Sequence, residues 1–184
     1  MPFEYRKLKI DGPVLIVPKA FGDDRGFFVE TYSKADFEKN GITGDYVQDN
    51  HSRSLVKGTI RGLHFQKDPA AQGKLVRCAK GEIFDVAVDL RPGSPTFGHH
   101  EAVLLSGENK HILYVPRGFA HGFMTTTQEV DVMYKTDNYY APASEGGLIW
   151  DDLDVGIKWP LEPQLLSEKD KKWPTLKELK ATLK

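Results

Sequence analysis

The spacing of chain breakers limits this fold more than any other feature. From "GPVLIVPKAF" through "GFFVETY", "DYVQDNHS", "TIRGLHFQ", "GKLVRCAKG", "EIFDVAVDL", "EAVLLSG", "KHILYVP", "AHGFMTT" and "EVDVMYKTDNYY", short apolar and β-branched runs follow one another. Clusters such as "KGE", "RPGSPTFG", "SGEN" and "PRG" separate them. No regular strand–helix alternation supports a parallel sheet, so the pattern predicts an all-β sandwich or barrel. One short helix is expected in "SKADFEKNG", with Ser33 capping its start, Asp36 in its first turn and Gly41 ending it. The tail "SEKDKKWPTLKELKATLK" reads as polar and partly helical, interrupted by Pro174.

A chain of 184 residues without internal repeats is expected to form a single domain, 1–184. Its formal net charge of −1 argues against general affinity for nucleic acid or an anionic membrane. Cys78 is the single cysteine and has no internal disulfide partner; in "KLVRCAKG" it reads as a small core residue. The start "MPFEYRKLKI" carries charges where a signal peptide needs an apolar run, and no apolar stretch reaches membrane-spanning length. A cytoplasmic protein is expected.

Strand periodicity locates candidate chemistry. In "EIFDVAVDL", Phe84, Val86, Val88 and Leu90 share one face, and Ile83, Asp85, Ala87 and Asp89 the other. Two carboxylates on one face fit a solvated surface or a wet barrel interior. In "RGLHFQ", alternation sets His64 with Gly62 and Gln66, against Arg61. Both side chains reach one site only if Gly62 allows a bulge or twist. "PRGFAH", ending at His121, has the Pro-x-Gly-x-x-His form found in metal-binding cupins. Their His-x-His pair is missing: the corresponding strand offers His64 alone, and the adjacent His99 and His100 point to opposite faces. No metal site is expected.

The segments "FGDDRGFFVETY", "VQDNHSRS", "IRGLHFQ", "QGKLVRCAKGEIFDVAVDLR", "SPTFG", "PRGFAHGF", "YKTDNYYAPASEGG" and "DDLDVGIKWP" together resemble the dTDP-4-dehydrorhamnose 3,5-epimerases over nearly the whole chain. The resemblance implies a double-sheet jelly roll, a cupin-like barrel with a few short peripheral helices. It implies an isomerase that needs no cofactor, acting on a dTDP-linked 4-keto-6-deoxyhexose. The hydrogens at C3 and C5 flank a ketone, so each can leave as a proton if the enolate is stabilised. Inversion needs two acid–base groups, one on each side of the sugar.

By this resemblance His64 is the base, paired with Asp170; Asp85 is the alternative partner. Tyr134 is the acid on the opposite side, and Lys74 offsets the enolate charge at the C4 oxygen. Arg25, Arg61 and Lys169 match positions that bind substrate, and the arginines suit a diphosphate. Glu30, Gln48, Asp49, Asn50, His121 and Glu145 match further binding positions. Tyr140 and Phe21 are candidates to flank thymine. The resemblance also implies a homodimer in which the segment bearing Arg25 and Glu30 reaches the neighbouring site. A single-carbon epimerase or ketoisomerase, a metal-dependent cupin and a sugar-nucleotide binding module are the competing readings.

Overall fold

The structure, a computed structural model, describes residues 2–183; Met1 and Lys184, the ends of the expected 1–184 domain, lie outside the described residues. The strands are β1 (Phe3–Lys7), β2 (Val14–Pro18), β3 (Ala20–Asp23), β4 (Gly26–Val29), β5 (Gln48–Ser54), β6 (Ile60–Gln66), β7 (Lys74–Lys80), β8 (Glu82–Asp89), β9 (His100–Ser106), β10 (Ile112–Val115), β11 (Phe119–Thr125), β12 (Val130–Thr136) and β13 (Glu145–Gly147). Two short helices accompany them, α1 (Lys34–Lys39) and α2 (Leu176–Thr182). One sheet runs β1-β2-β10-β7-β12-β5 and the second β13-β6-β11-β8-β9, while β3 and β4 form a separate hairpin. Every pairing between these strands is antiparallel. The result is the all-β double-sheet jelly roll expected from the sequence.

Both faces of the second sheet are covered. Ile83, Ala87, Leu105, Phe119 and Phe123 meet Val76, Leu113, Val115 and Val132 of the first sheet between the layers. On the other face Leu63, Phe65, Val86 and Val88 pack against Leu148, Val155, Leu176 and Leu179. The tail is therefore a cover for the outer sheet, and its apolar residues earn that place through a capping box. Thr175 accepts from the Glu178 amide while Glu178 accepts from the Thr175 amide, starting α2 directly after Pro174. Helix α1 buries Phe37 against Phe3, Ile16 and Ile112 on the first sheet. Ser33 does occupy its N-cap position, but the side chain makes no capping bond. Cys78 lies in the core, where burial pushes its thiol up to about 11.

The irregularity expected at Gly62 is present. Against β11, His64 stands opposite His121 and Arg61 opposite Phe123, so three steps on β6 match two on its neighbour. The extra residue reverses the alternation, and Arg61 and His64 come to line one cavity. Gly62 has φ +134°, and a Cβ there would lie 2.6 Å from the Gly122 Cα, so only glycine fits. A solvated face for Asp85 and Asp89 is not what forms: both are fully buried. Asp89 accepts from Arg91, Ser94 and Thr96, which together outweigh the opposing effect of burial and hold its carboxyl at about 2.

Candidate active site

A cavity of about 270 Å³ opens between the sheets, lined by Ser52, Arg61, His64, Lys74, His121, Phe123, Tyr134, Ser167, Lys169 and Asp170. The two sheets contribute from opposite sides. His64 stands on β6 between His121 of β11 and Gly147 of β13. Tyr134 stands on β12 between Asn50 of β5 and Val76 of β7. Residues separated by 70 positions thus face one space.

His64 Nε2 lies 2.6 Å from Asp170 Oδ1, and the imidazole side chain remains 34% exposed to the cavity. The carboxylate fixes the tautomer: Nε2 carries the proton donated to Asp170, which leaves the Nδ1 lone pair free. Asp170 itself is held from several directions. The Trp173 indole N–H donates to Oδ1 at 3.2 Å, and the Asp170 amide donates to Ser167 Oγ at 3.1 Å. Burial alone would raise its pKa, but the hydrogen bond and charge of His64, with Ser167 and Trp173, outweigh it and keep the carboxyl below its ordinary range. Gly147 makes the room for this arrangement, since a Cβ there would fall 2.1 Å from the Trp173 ring. Asp170, not Asp85, is the partner of His64.

Asp85 pairs instead with the second histidine, its Oδ1 2.9 Å from His121 Nε2 in a buried contact. Burial lowers the pKa of His121, against the pull of Asp85, so the ring is held toward its neutral form. Lys74 is 91% buried (9% exposed), and burial brings its ammonium down to about 8 despite the attraction of Asp85 and Glu145. Its Nζ donates to the His64 carbonyl at 3.4 Å. Burial raises the Tyr134 phenol, and the nearby Arg61 charge offsets part of that rise. Arg61 is braced by Ser54 Oγ and the Arg53 carbonyl, each accepting at 3.0 Å.

A rim of hydrogen bonds continues outward. Lys169 pairs with Glu145 at 2.5 Å, Tyr140 Oη donates to Glu145 at 3.1 Å, and the Tyr140 amide donates to Gln48 Oε1 at 3.1 Å. Gln48 in turn donates to Asn50 at 3.0 Å. Four expected residues fall elsewhere in this chain. Asp49 points to the opposite face of β5 and pairs with Lys135 at 2.8 Å, as the two-residue period between Gln48 and Asn50 requires. Arg25 sits on the β3–β4 hairpin, bound to Asp23, and Glu30 follows that hairpin; neither lines the cavity. Phe21, on the same hairpin, is likewise outside it and 53% exposed. Sequence reasoning missed Ser52, whose buried hydroxyl at the cavity wall has no partner, and Trp173; period-two spacing from Asn50 marks the former. Among the described residues no three His, Cys, Asp or Glu side chains are grouped to hold a metal ion.

Known proteins place this geometry in context. The family model described as dTDP-4-dehydrorhamnose 3,5-epimerase matches residues 7–178. The epimerase of that name from Shigella flexneri is 51% identical over 165 residues, covering 89% of this chain and 91% of its own. The Salmonella typhimurium enzyme is 52% identical over 173 residues, covering 92% and 93%. Among solved structures, the dTDP-6-deoxy-D-glucose-3,5-epimerase of Legionella pneumophila in complex with dTDP-4-keto-L-rhamnose superposes with a TM-score of 0.94 at 46% identity, covering 98% of this chain and 96% of that one. A 3'-monoepimerase from Streptomyces bikiniensis, in complex with dTDP-quinovose, superposes at 0.89 with 33% identity, covering 96% and 90%.

Proposed function

The chain belongs to the dTDP-4-dehydrorhamnose 3,5-epimerase family, and from that premise we propose that His64 and Tyr134 invert C3 and C5 of dTDP-4-dehydro-6-deoxy-D-glucose, giving dTDP-4-dehydro-L-rhamnose. The observation that carries this reading is the placement of an imidazole and a phenol on opposite sheets around one cavity, with a buried lysine between them. His64 Nδ1 takes the proton beside the C4 ketone. The C–H electron pair moves into the enolate, whose oxygen Lys74 stabilises. Tyr134 Oη–H delivers a proton to the other side of the same carbon. Each inversion leaves an imidazolium and a phenolate, and exchange with water resets both. The ketone is the electron sink throughout, so the balance closes without a redox cofactor.

Asp170 keeps His64 in the tautomer that frees Nδ1 and supports the imidazolium. Arg61 and Lys169 at the cavity mouth receive the diphosphate, and the chain of bonds through Glu145, Tyr140, Gln48 and Asn50 holds the nucleoside side. Turnover in heavy water tests the assignment. Wild type is expected to place deuterium at both C3 and C5. Tyr134→Phe is expected to lose inversion by ~10²-fold or more while retaining exchange, because His64 returns a proton to the side it came from. Deuterium at one carbon alone supports the single-carbon reading, and equal loss of exchange and inversion removes Tyr134 from the opposite side.

The working unit is proposed as a homodimer of single jelly-roll chains in the cytoplasm. Phe27 and Phe28 are 62% and 70% exposed on a hairpin that, among the described residues, pairs only with itself. Such a ribbon suits docking on a second copy, which brings Arg25 and Glu30 to the neighbour's cavity. Among the described residues no helix is long and apolar enough to cross a membrane. Subunit mixing tests the exchange. Arg25→Ala and His64→Ala chains, each inactive alone, are expected to recover about a quarter of wild-type activity when unfolded and refolded together. No recovery means that Arg25 serves its own chain or none.

A further inference from the structure

Given His64 as the base and Lys169 as a receiver of the diphosphate, we propose that Trp173 is a positioning residue for both: its indole N–H aims the Asp170 carboxylate at His64, and its ring steadies Lys169 at the cavity mouth. Trp173 is not among the residues that line the cavity, so it acts through these two neighbours in the tail. Its ring sits against Gly147, the residue that stands opposite His64 in the β13–β6 ladder. The residue after it is pinned just beyond the same strand, where the Ile149 amide donates to the Pro174 carbonyl at 2.9 Å. The indole is thereby fixed to the strand that pairs with the base, and the tail takes its position from there.

A carboxylate held by one hydrogen bond can swing about its Cβ–Cγ bond, and a second donor on the same oxygen restrains that swing. Asp170 Oδ1 takes two, from His64 Nε2 at 2.6 Å and from Trp173 Nε1 at 3.2 Å. The Gly62 amide reaches Oδ2 at 3.5 Å, too long to orient the group, and the 3.1 Å bond to Ser167 Oγ restrains the Asp170 backbone amide. The indole also packs on the imidazole, their centroids 6.1 Å apart and their planes at 70°. Lys169 meets the same ring, its Nζ 5.4 Å from the centroid. One side chain thus sets the stance of the cation that receives the diphosphate and of the carboxylate behind the base.

Two substitutions separate the two contacts, read by steady-state kinetics and a dTDP titration. Trp173→Phe keeps an aromatic ring against Gly147 and loses the N–H. Its kcat is expected to fall about tenfold, with affinity for dTDP within about twofold of wild type. Trp173→Leu keeps apolar bulk and loses the ring as well. It is expected to show the same loss in kcat and to bind dTDP about threefold more weakly. A Trp173→Phe enzyme as fast as wild type overturns the proposal. So does one whose kcat and dTDP affinity fall together, because the indole is then packing alone. Wild-type dTDP affinity in Trp173→Leu refutes the hold on Lys169. If Trp173→Leu does not fold, Trp173→Met, which lacks both the N–H and the ring, takes its place with the same expected outcomes. Failure of the underlying reading looks different, since His64→Ala then keeps its turnover; an inactive His64→Ala beside a fully active Trp173→Phe overturns this inference alone.

Discussion

Replacing His64 with alanine is expected to lower kcat by ~10²–10⁴-fold while leaving affinity for dTDP within a few-fold of wild type. The imidazole is the group whose free nitrogen faces the cavity, and nothing else there replaces it. Tyr134 is neutral with its pKa raised, Lys74 is predominantly charged at neutral pH, and the His121 side chain is buried, where that of His64 is 34% exposed. The fold survives the change because Asp170 keeps the Trp173 N–H, and Leu63 and Phe65 stay anchored in the outer cluster. Steady-state kinetics, a dTDP titration and a thermal melt check the three statements separately. A variant that turns over at more than a tenth of the wild-type rate sinks the assignment. So does one that loses dTDP affinity in step with kcat, because the histidine is then a binding group.

Lys74→Met is expected to cost ~10²–10³-fold in kcat, the scale of one lost electrostatic donor to a developing oxyanion, and to make the protein more stable. The lysine titrates at about 8 in the fold against an ordinary 10.5, because burial disfavours its charge. Below about pH 8 that charge is a standing cost of up to about 3 kcal/mol, which methionine removes. As pH rises from about 8 towards 10.5 the folded lysine gives up its proton first, and the cost disappears. The stability gap between variant and wild type is therefore widest near neutrality and closes by about pH 10.5. Urea unfolding at pH 7 and pH 10 reads this directly. A methionine variant less stable than wild type at pH 7 contradicts the burial argument.

Most of the strands were legible because β-branched runs and Gly-Pro breaks are local signals. β13 was missed since it has only three residues, two of them glycine, and takes its shape from pairing with β6. β1 was missed because its charged residues face water and only Phe3 is buried. The site was legible more unevenly. Asp170 lies 106 positions from His64, a distance no periodicity spans, and it came from resemblance alone. Strict alternation set Arg61 against His64; the bulge at Gly62 reverses that, and only the glycine hinted at it. Asp85 had the right face but an undetermined environment, because its burial is decided by His121 on another strand. Asp49 is the opposite case. Its neighbours Gln48 and Asn50 face inward, and alternation by itself sets it apart from them.

The carboxylate behind the His64 imidazole rides on the same tail that shields the outer sheet, with Trp173 and α2 just beyond it. A nascent polypeptide that stops short of Trp173 bares an apolar wall and leaves His64 without its full support in one stroke. Quality control by proteases and acquisition of activity during synthesis thus report on a single event, the docking of that final segment, and a half-made enzyme has no way to be both durable and competent.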